Sequence, residues 1–203
     1  MKKVSIGWAI VIAASVWLNA AEELHNETYP VDGNNNPWYV MGGLTIGAYE
    51  SECVVAPCTY EDYTSGMIIG AGYQVNQYFA LEARALRTFW GAGENGGERI
   101  GHTGFYLKPS YPLVENLSIY ALLGYGWTES IAAGNGNLPE IDESAFSWGL
   151  GLGYEMPQYE ASAHHWGLFV EYQSLLNDQE IIYRERKSLI TIGVFSAGVT
   201  YRF

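Results

Sequence analysis

The stretch "SLITIGVFSAGVTYRF" (residues 188–203) decides the fold. In its last six residues Val199, Tyr201 and Phe203 alternate with Gly198, Thr200 and Arg202. Successive side chains of a β-strand point to opposite faces, so this alternation predicts a strand with two different surroundings. Because soluble proteins rarely end on a long alternating strand with a final aromatic residue, the pattern indicates that one face meets lipid.

Seven more segments alternate in the same way, so we predict eight strands. They cover residues 38–49, 65–75, 78–90, 102–112, 117–129, 145–155, 165–175 and 188–203. The sixth is the clearest, with Phe146, Trp148 and Leu150 on one face and Ser147 and Gly149 on the other. Each segment is about 10 residues long, which is the length that a tilted membrane strand needs.

The connections between these strands alternate in length. The long ones are 50–64, 91–101, 130–144 and 176–187, and the short ones are 76–77, 112–116 and 157–164. Long and short connections therefore fall on opposite ends of the sheet. Short periplasmic turns and longer extracellular loops are typical of outer-membrane barrels. We predict an all-β fold, an eight-stranded antiparallel up-and-down transmembrane β-barrel over residues 38–203, with four long extracellular loops.

Composition limits the alternatives. Of 203 residues, 48% are hydrophobic and only 16% are charged, below the usual quarter. The formal net charge of −12 argues against a nucleic-acid partner. A soluble β-sandwich or lipocalin-like barrel would keep its bulky residues inside. The second face of these strands is mostly Gly and Ser with a few charges, which favours a narrow barrel interior.

The N-terminus predicts export. Lys2 and Lys3 precede an apolar stretch over 4–18, and we expect a signal peptide over residues 1–20, cut after Ala20 or Ala21. An uncleaved anchor is the alternative. Residues 21–37 are polar and rich in turn formers, which predicts a flexible periplasmic segment.

The two cysteines fit an oxidising compartment. Cys53 and Cys58 lie close together in a polar stretch, so we predict a loop disulfide, with two free thiols as the alternative. Two cysteines do not make a zinc site, and we expect neither a metal nor a cofactor.

Five tryptophans follow the predicted signal peptide, and the layout places them in two girdles at the membrane surfaces. Trp38 and Trp166 start strands at the periplasmic rim. Trp90, Trp127 and Trp148 lie at the outer rim.

Residues 38–203 resemble the small outer-membrane barrels of the OmpA-like and OmpX/Ail type, a porin-family class. The resemblance rests on strand number, loop alternation, aromatic girdles and the terminal Phe203. The final "VTYRF" is similar to the C-terminal signal read by the barrel assembly machinery, which implies that role for Tyr201 and Phe203. The sequence ends with the eighth strand, so we expect no peptidoglycan-binding domain.

This resemblance implies the outer membrane of a Gram-negative bacterium. It also implies a non-enzymatic role in envelope structure or in surface recognition, such as adhesion, through the extracellular loops. The implied partners are outer-membrane lipids, lipopolysaccharide and, during biogenesis, periplasmic chaperones and the assembly machinery. A host or surface ligand is a further implied partner.

Charged and polar residues on the predicted inward face form a candidate lumen cluster. Its members are Glu82, Arg84, Lys108, Glu171, Gln173 and Tyr106. Charges inside a membrane protein face the lumen and pair with one another, and eight strands leave hardly any room for water. We predict a plug of ion pairs and hydrogen bonds. A gated narrow ion path through the cluster is the alternative.

The predicted loops are acidic, which indicates a solvated surface. Two alternatives stay open: divalent cations bridging carboxylates to lipopolysaccharide phosphates, or direct phosphate binding by "IIYRERKS" (181–188). A lipid A-modifying enzyme is a further alternative, with His102 as base, the neighbouring hydroxyl of Thr103 and Glu98 as orienting carboxylate.

Overall fold

Eight antiparallel strands close into a single barrel in the computed structural model, which describes residues 37–53, 59–91, 99–131, 141–157, 165–183 and 186–203. The strands are β1 (Trp38–Cys53), β2 (Thr59–Asn76), β3 (Phe79–Gly91), β4 (Arg99–Val114), β5 (Leu117–Ile131), β6 (Ile141–Glu155), β7 (His165–Tyr183) and β8 (Arg186–Arg202). The predicted fold class is thus confirmed. Among these residues no helix has the length and apolar character needed to cross a bilayer.

Each strand pairs with the next along the chain, and β1 also pairs with β8. The closing register runs from Tyr39↔Arg202 to Cys53↔Ser188. The end where β1 and β2, β3 and β4, β5 and β6, and β7 and β8 are joined is called the loop end here, and the opposite end the turn end. Closure matters because an open sheet edge would leave backbone groups without partners in lipid.

The alternation seen in the sequence becomes an apolar outside and a filled inside. On β1, for example, Leu44 and Ile46 are exposed on the outer surface, while Thr45 between them is buried. In β5, Ile119 and Trp127 face outward and Leu122 is buried inside. A bilayer is the solvent in which such an apolar outer surface is stable.

The strands run much further toward the loop end than predicted. β1 continues to Cys53, β2 starts at Thr59, β4 at Arg99 and β6 at Ile141. The predicted connection 176–187 is wrong, because all of it except residues 184–185 lies in β7 and β8, with Tyr183 paired to Arg186. Polar residues mark where a strand leaves the membrane and not where its hydrogen-bonded pairing stops.

The interior has two parts, and only one of them matches the expected mixture of small residues and charges. Nearer the turn end lies the polar layer, defined as Tyr39, Glu82, Arg84, Lys108, Tyr106, Tyr120, Glu171 and Gln173. An apolar cluster fills mainly the half nearer the loop end. Its buried members are Met41, Tyr49, Ile68, Leu86, Ile100, Ile141, Phe169, Leu175, Leu176, Ile190, Ile192 and Val194. The interior is therefore packed partly like the core of a soluble protein.

The β7 strand is irregular near its middle. Its register against β8 shifts between Ser174 and Leu176 and again between Leu176 and Gln179. Each shift inserts an extra residue into β7, and such bulges bend a strand and re-aim its side chains. As a result Leu175 and Leu176 are both buried, although they are consecutive. Asp178 has a positive φ of 48°.

Candidate functional site

Four charges meet in the polar layer of the lumen. Arg84 on β3 lies between Glu82 and Glu171 and forms ion pairs with both. Its Nε donates to Glu82 Oε2 over 2.6 Å, and Lys108 Nζ donates to Glu82 Oε1 over 2.8 Å. Two carboxylates and two cations leave the group formally neutral. The side chains of Glu82, Arg84 and Glu171 are at most 1% exposed, whereas Lys108 keeps 15%.

Tyrosines add a further hydrogen bond to each of the two carboxylates. The Tyr39 hydroxyl donates to Glu82 Oε1, and the Tyr120 hydroxyl donates to Glu171 Oε2 over 2.7 Å. Lys108 Nζ also lies 4.2 Å from the ring centroid of Tyr120, within the range of a cation–π contact. Buried charges are tolerated only when they are paired and hydrogen-bonded in this way.

A second chain of hydrogen bonds continues from the polar layer toward the loop end. His102 Nε2 lies 2.5 Å from the Tyr106 hydroxyl, and His102 Nδ1 lies 2.8 Å from Thr128 Oγ1. The Tyr106 hydroxyl and Gln173 Nε2 each donate to Ser147 Oγ over 3.3 Å. This chain crosses the barrel from β4 to β7.

The structure places all six sequence-predicted lumen residues on the inner face and links them. Glu82, Arg84, Lys108 and Glu171 form the ion-paired group. Tyr106 and Gln173 meet at Ser147, and the Arg84 guanidinium carbon lies 5.8 Å from the centroid of the Tyr106 ring. The predicted cluster left out Tyr39, Ser147 and His102. Strand parity would have indicated all three.

The predicted rim residues lie on the outer surface where their side chains are described. Trp38, Trp127, Trp148 and Trp166 are each more than a third exposed. At the turn end the Tyr201 ring packs 4.8 Å from that of Trp166 and 5.1 Å from that of Phe203. The side chains of Trp90 and Cys53, as well as Cys58 and residues 1–36, lie outside the described residues, so the disulfide and signal peptide stay predictions.

The arrangement around His102 differs from the one that the enzyme alternative requires. Thr103 faces the outside of the barrel, because neighbouring strand residues point to opposite faces. Glu98 lies outside the described residues. The hydroxyls that do contact His102 belong to Thr128 and Tyr106, which are 1% and 2% exposed and closed to a substrate. In the described part of the chain, no three His, Cys, Asp or Glu residues are placed to hold a metal ion.

Two pairs of acidic residues face each other across strands near the loop end. Glu50 on β1 is directly opposite Glu61 on β2, and Glu129 on β5 is opposite Asp142 on β6. All four are exposed on the outer face. Like charges in such positions repel each other, so this surface is held together by pairing elsewhere in the sheet.

Comparison with known proteins extends this description. A sequence profile described as "Outer membrane protein beta-barrel domain" matches residues 10–203. The comparison with curated proteins gives no significant match.

Several solved structures are similar to this chain. The outer membrane protein AlkL in DMPC lipid bilayers is 15% identical, with 87% of this chain and 96% of AlkL covered and a TM-score of 0.51. Neisserial surface protein A is 13% identical, with 83% and 98% covered and a TM-score of 0.50. Ail of Yersinia pestis is 13% identical, with 83% and 100% covered and a TM-score of 0.49. At these identities the likeness to AlkL and Neisserial surface protein A concerns the fold alone.

Proposed function

This chain belongs to the outer membrane protein β-barrel domain family, and from that membership we propose that it is a non-enzymatic barrel that acts through the surface at its loop end. Its work is structural support of the envelope or recognition of a surface ligand, with lipopolysaccharide and outer-membrane lipids as its surroundings. The loop end faces the exterior, and the turn end faces the periplasm.

The packing of the lumen carries this proposal. Among the described residues, the neutral ion-paired group of the polar layer spans from β3 and β4 to β7. The apolar cluster lies above it, with Ile100, Leu176, Ile190 and Ile192 at 0% exposure. An ion would have to break buried charge pairs and then cross hydrocarbon. The surface at the loop end is therefore the better candidate for activity.

Single-channel recording of the folded protein in a planar bilayer tests this proposal. We expect no reproducible conductance. The variants Glu82→Ala and Lys108→Ala probe the lumen, and Glu61→Ala is the matched control because Glu61 is exposed on the outer face. Discrete openings that change with the lumen variants but not with the control would establish the narrow-channel alternative.

Trimming the loop end tests where the activity lies. Replacing residues 54–58 and 132–140 with short turns leaves the described strands intact. We expect cells that carry the trimmed protein to lose ligand attachment or detergent resistance, while the barrel still shifts in gel mobility on boiling. An altered lipid A mass in cells expressing the untrimmed protein would instead support the enzyme alternative.

A further inference from the structure

The seam between β6 and β7 is paired over only part of its length. Register pairs run from Glu155↔Gly167 to Trp148↔Ser174 and end there. Among the described residues, Asp142–Ser147 of β6 continue toward the loop end with pairs to β5 alone. In the β7 segment Leu175–Gln179, the register pairs Leu176 and Gln179 with β8 and none of the residues with β6. We call the unpaired stretch between these two segments the β6–β7 slot.

The slot is built into the structure by specific contacts. At its base the Ser147 hydroxyl donates to the Ser174 carbonyl oxygen over 2.7 Å. The two β7 bulges lie directly above this point. The second bulge is held by Asp178, whose backbone N–H donates to Thr191 Oγ1 over 3.3 Å. The bulges bend β7 at the point where its pairing with β6 ends.

The walls of the slot change from apolar to polar along its length. Near its base, Ala145 packs against the apolar cluster beside β7, and Phe146 is exposed on the outer face. The rings of Trp148 and Tyr172 close the base from outside, with centroids 6.1 Å apart. Further toward the loop end come the exposed residues Asp142, Ser144, Asn177 and Asp178.

The slot lies at the membrane surface. Ser144 is paired with Trp127, whose exposed ring is at the level of the outer aromatic girdle. The part of the slot near its base therefore faces acyl chains, and the part toward the loop end faces head groups. Backbone groups that lack partners within the bilayer are costly, so a molecule with hydrogen-bonding atoms at this depth would be stabilised there.

We propose that the β6–β7 slot binds a single-chain amphiphile of the outer leaflet, with its acyl chain against Ala145 and Phe146 and its head group beside the separated strands. The head group is uncharged or cationic. Asp142 and Asp178 are exposed on opposite walls of the slot and Glu143, next to Asp142, is half-buried, so an anionic head group would be repelled. This proposal concerns the flank of the barrel and does not depend on the loop-end function.

Cysteine labelling in lipid vesicles tests the slot. The full-length chain with Cys53→Ser and Cys58→Ser provides the background. Ala145→Cys places a thiol on the inner face of β6 at the edge of the slot. Thr128→Cys is the matched control, since Thr128 faces inward at a similar height on β5, where it is paired on both sides. A membrane-soluble alkyl maleimide should label Ala145→Cys at least about tenfold faster than Thr128→Cys, because a closed seam exposes a thiol only by local opening.

Competition identifies the occupant. Dodecanol should slow labelling of Ala145→Cys, while laurate at the same concentration should slow it less. Equal labelling rates for the two cysteine variants would show that the seam is closed and overturn the proposal. Labelling of Ala145→Cys by a water-soluble maleimide alone, without protection by dodecanol, would show a water-filled cleft and overturn it too.

Discussion

Arg84 is the residue on which the polar layer depends, because it is shared by two buried carboxylates. Replacing it with Met leaves Glu82 and Glu171 buried with only Lys108 to balance them. We expect Arg84→Met to lower the free energy of unfolding by about 3–5 kcal/mol, the usual cost of leaving a buried charge without its partner. Urea unfolding in lipid vesicles, followed by tryptophan fluorescence, measures this loss.

The neutrality of the same group predicts a coupling between Glu82 and Lys108. Each single variant, Glu82→Gln or Lys108→Met, leaves one excess charge, whereas the double variant keeps the Arg84–Glu171 pair and stays neutral. The double variant should lose less unfolding free energy than the two single variants lose together, by roughly 0.5–3 kcal/mol. Glu61→Gln and Arg87→Met, at two exposed residues, are the control, and their costs in unfolding free energy should be additive. Additive costs at Glu82 and Lys108 would refute the coupling.

The second β7 bulge contains a residue with an unusual backbone conformation. Asp178 has a φ of 48°, a conformation that Gly and Asn adopt readily and a β-branched residue does not. Asp178→Val should therefore be less stable than Asp178→Gly by about 1–2 kcal/mol. Both variants lose the side-chain contact with Thr191, so their difference isolates the backbone. Equal urea midpoints for the two variants would contradict this reading of the bulge.

The β1–β8 seam is an element that requires glycine. A Cβ added at Gly198 would lie 2.2 Å from the Gly42 carbonyl oxygen and 2.5 Å from Gly43 Cα, so the backbones would have to separate. We expect Gly198→Ala to reduce stability by about 1–3 kcal/mol or more, as overpacking does. Gly42→Ala, on the same seam, is the control because its Cβ would meet nothing nearer than 3.9 Å. Heat-modifiable gel mobility and urea unfolding report both variants.

At the scale of the whole molecule, deletion of Phe203 distinguishes a role in barrel assembly from a role in the stability of the folded barrel. Its ring is exposed at the turn end, and its backbone N–H donates to the Trp38 carbonyl oxygen over 3.4 Å. Deleting Phe203 should lower the amount of folded barrel in cells if it is an assembly signal. The same deletion should change the unfolding midpoint of protein refolded in vitro only slightly, since a weak terminal contact is lost. Equal losses in both assays would indicate a structural role alone.

The barrel was predictable from the sequence because period-two alternation reports the two faces of a strand directly. The inward positions of Glu82, Arg84, Lys108 and Glu171 followed from the same parity. The ends of the strands did not, since pairing continues through the polar residues around Glu50 and Asp142 where lipid no longer selects apolar side chains.

Two features of the interior also escaped prediction. The apolar cluster near the loop end draws Ile190, Ile192 and Val194 from the minor face of a strand that is apolar on both sides. The β7 bulges break the alternation, and their only trace is the consecutive pair Leu175 and Leu176. Such a pair identifies a bulge only when the partner strand and its register are known.

The pairing of β1 with β8, which closes the barrel, joins residues that are far apart in the chain. Gly43 pairs with Gly198, whereas every other seam joins strands that follow one another. Closure of so long a loop carries the largest entropic cost of any seam, so it is the last pairing to become favourable during folding. Trp38 and Phe203 then lie side by side. In a circular permutant, a short linker would join Phe203 to Trp38, and the new chain ends would lie between β5 and β6. The pairing of β1 with β8 would then be a local hairpin, and every pair of the sheet would be preserved.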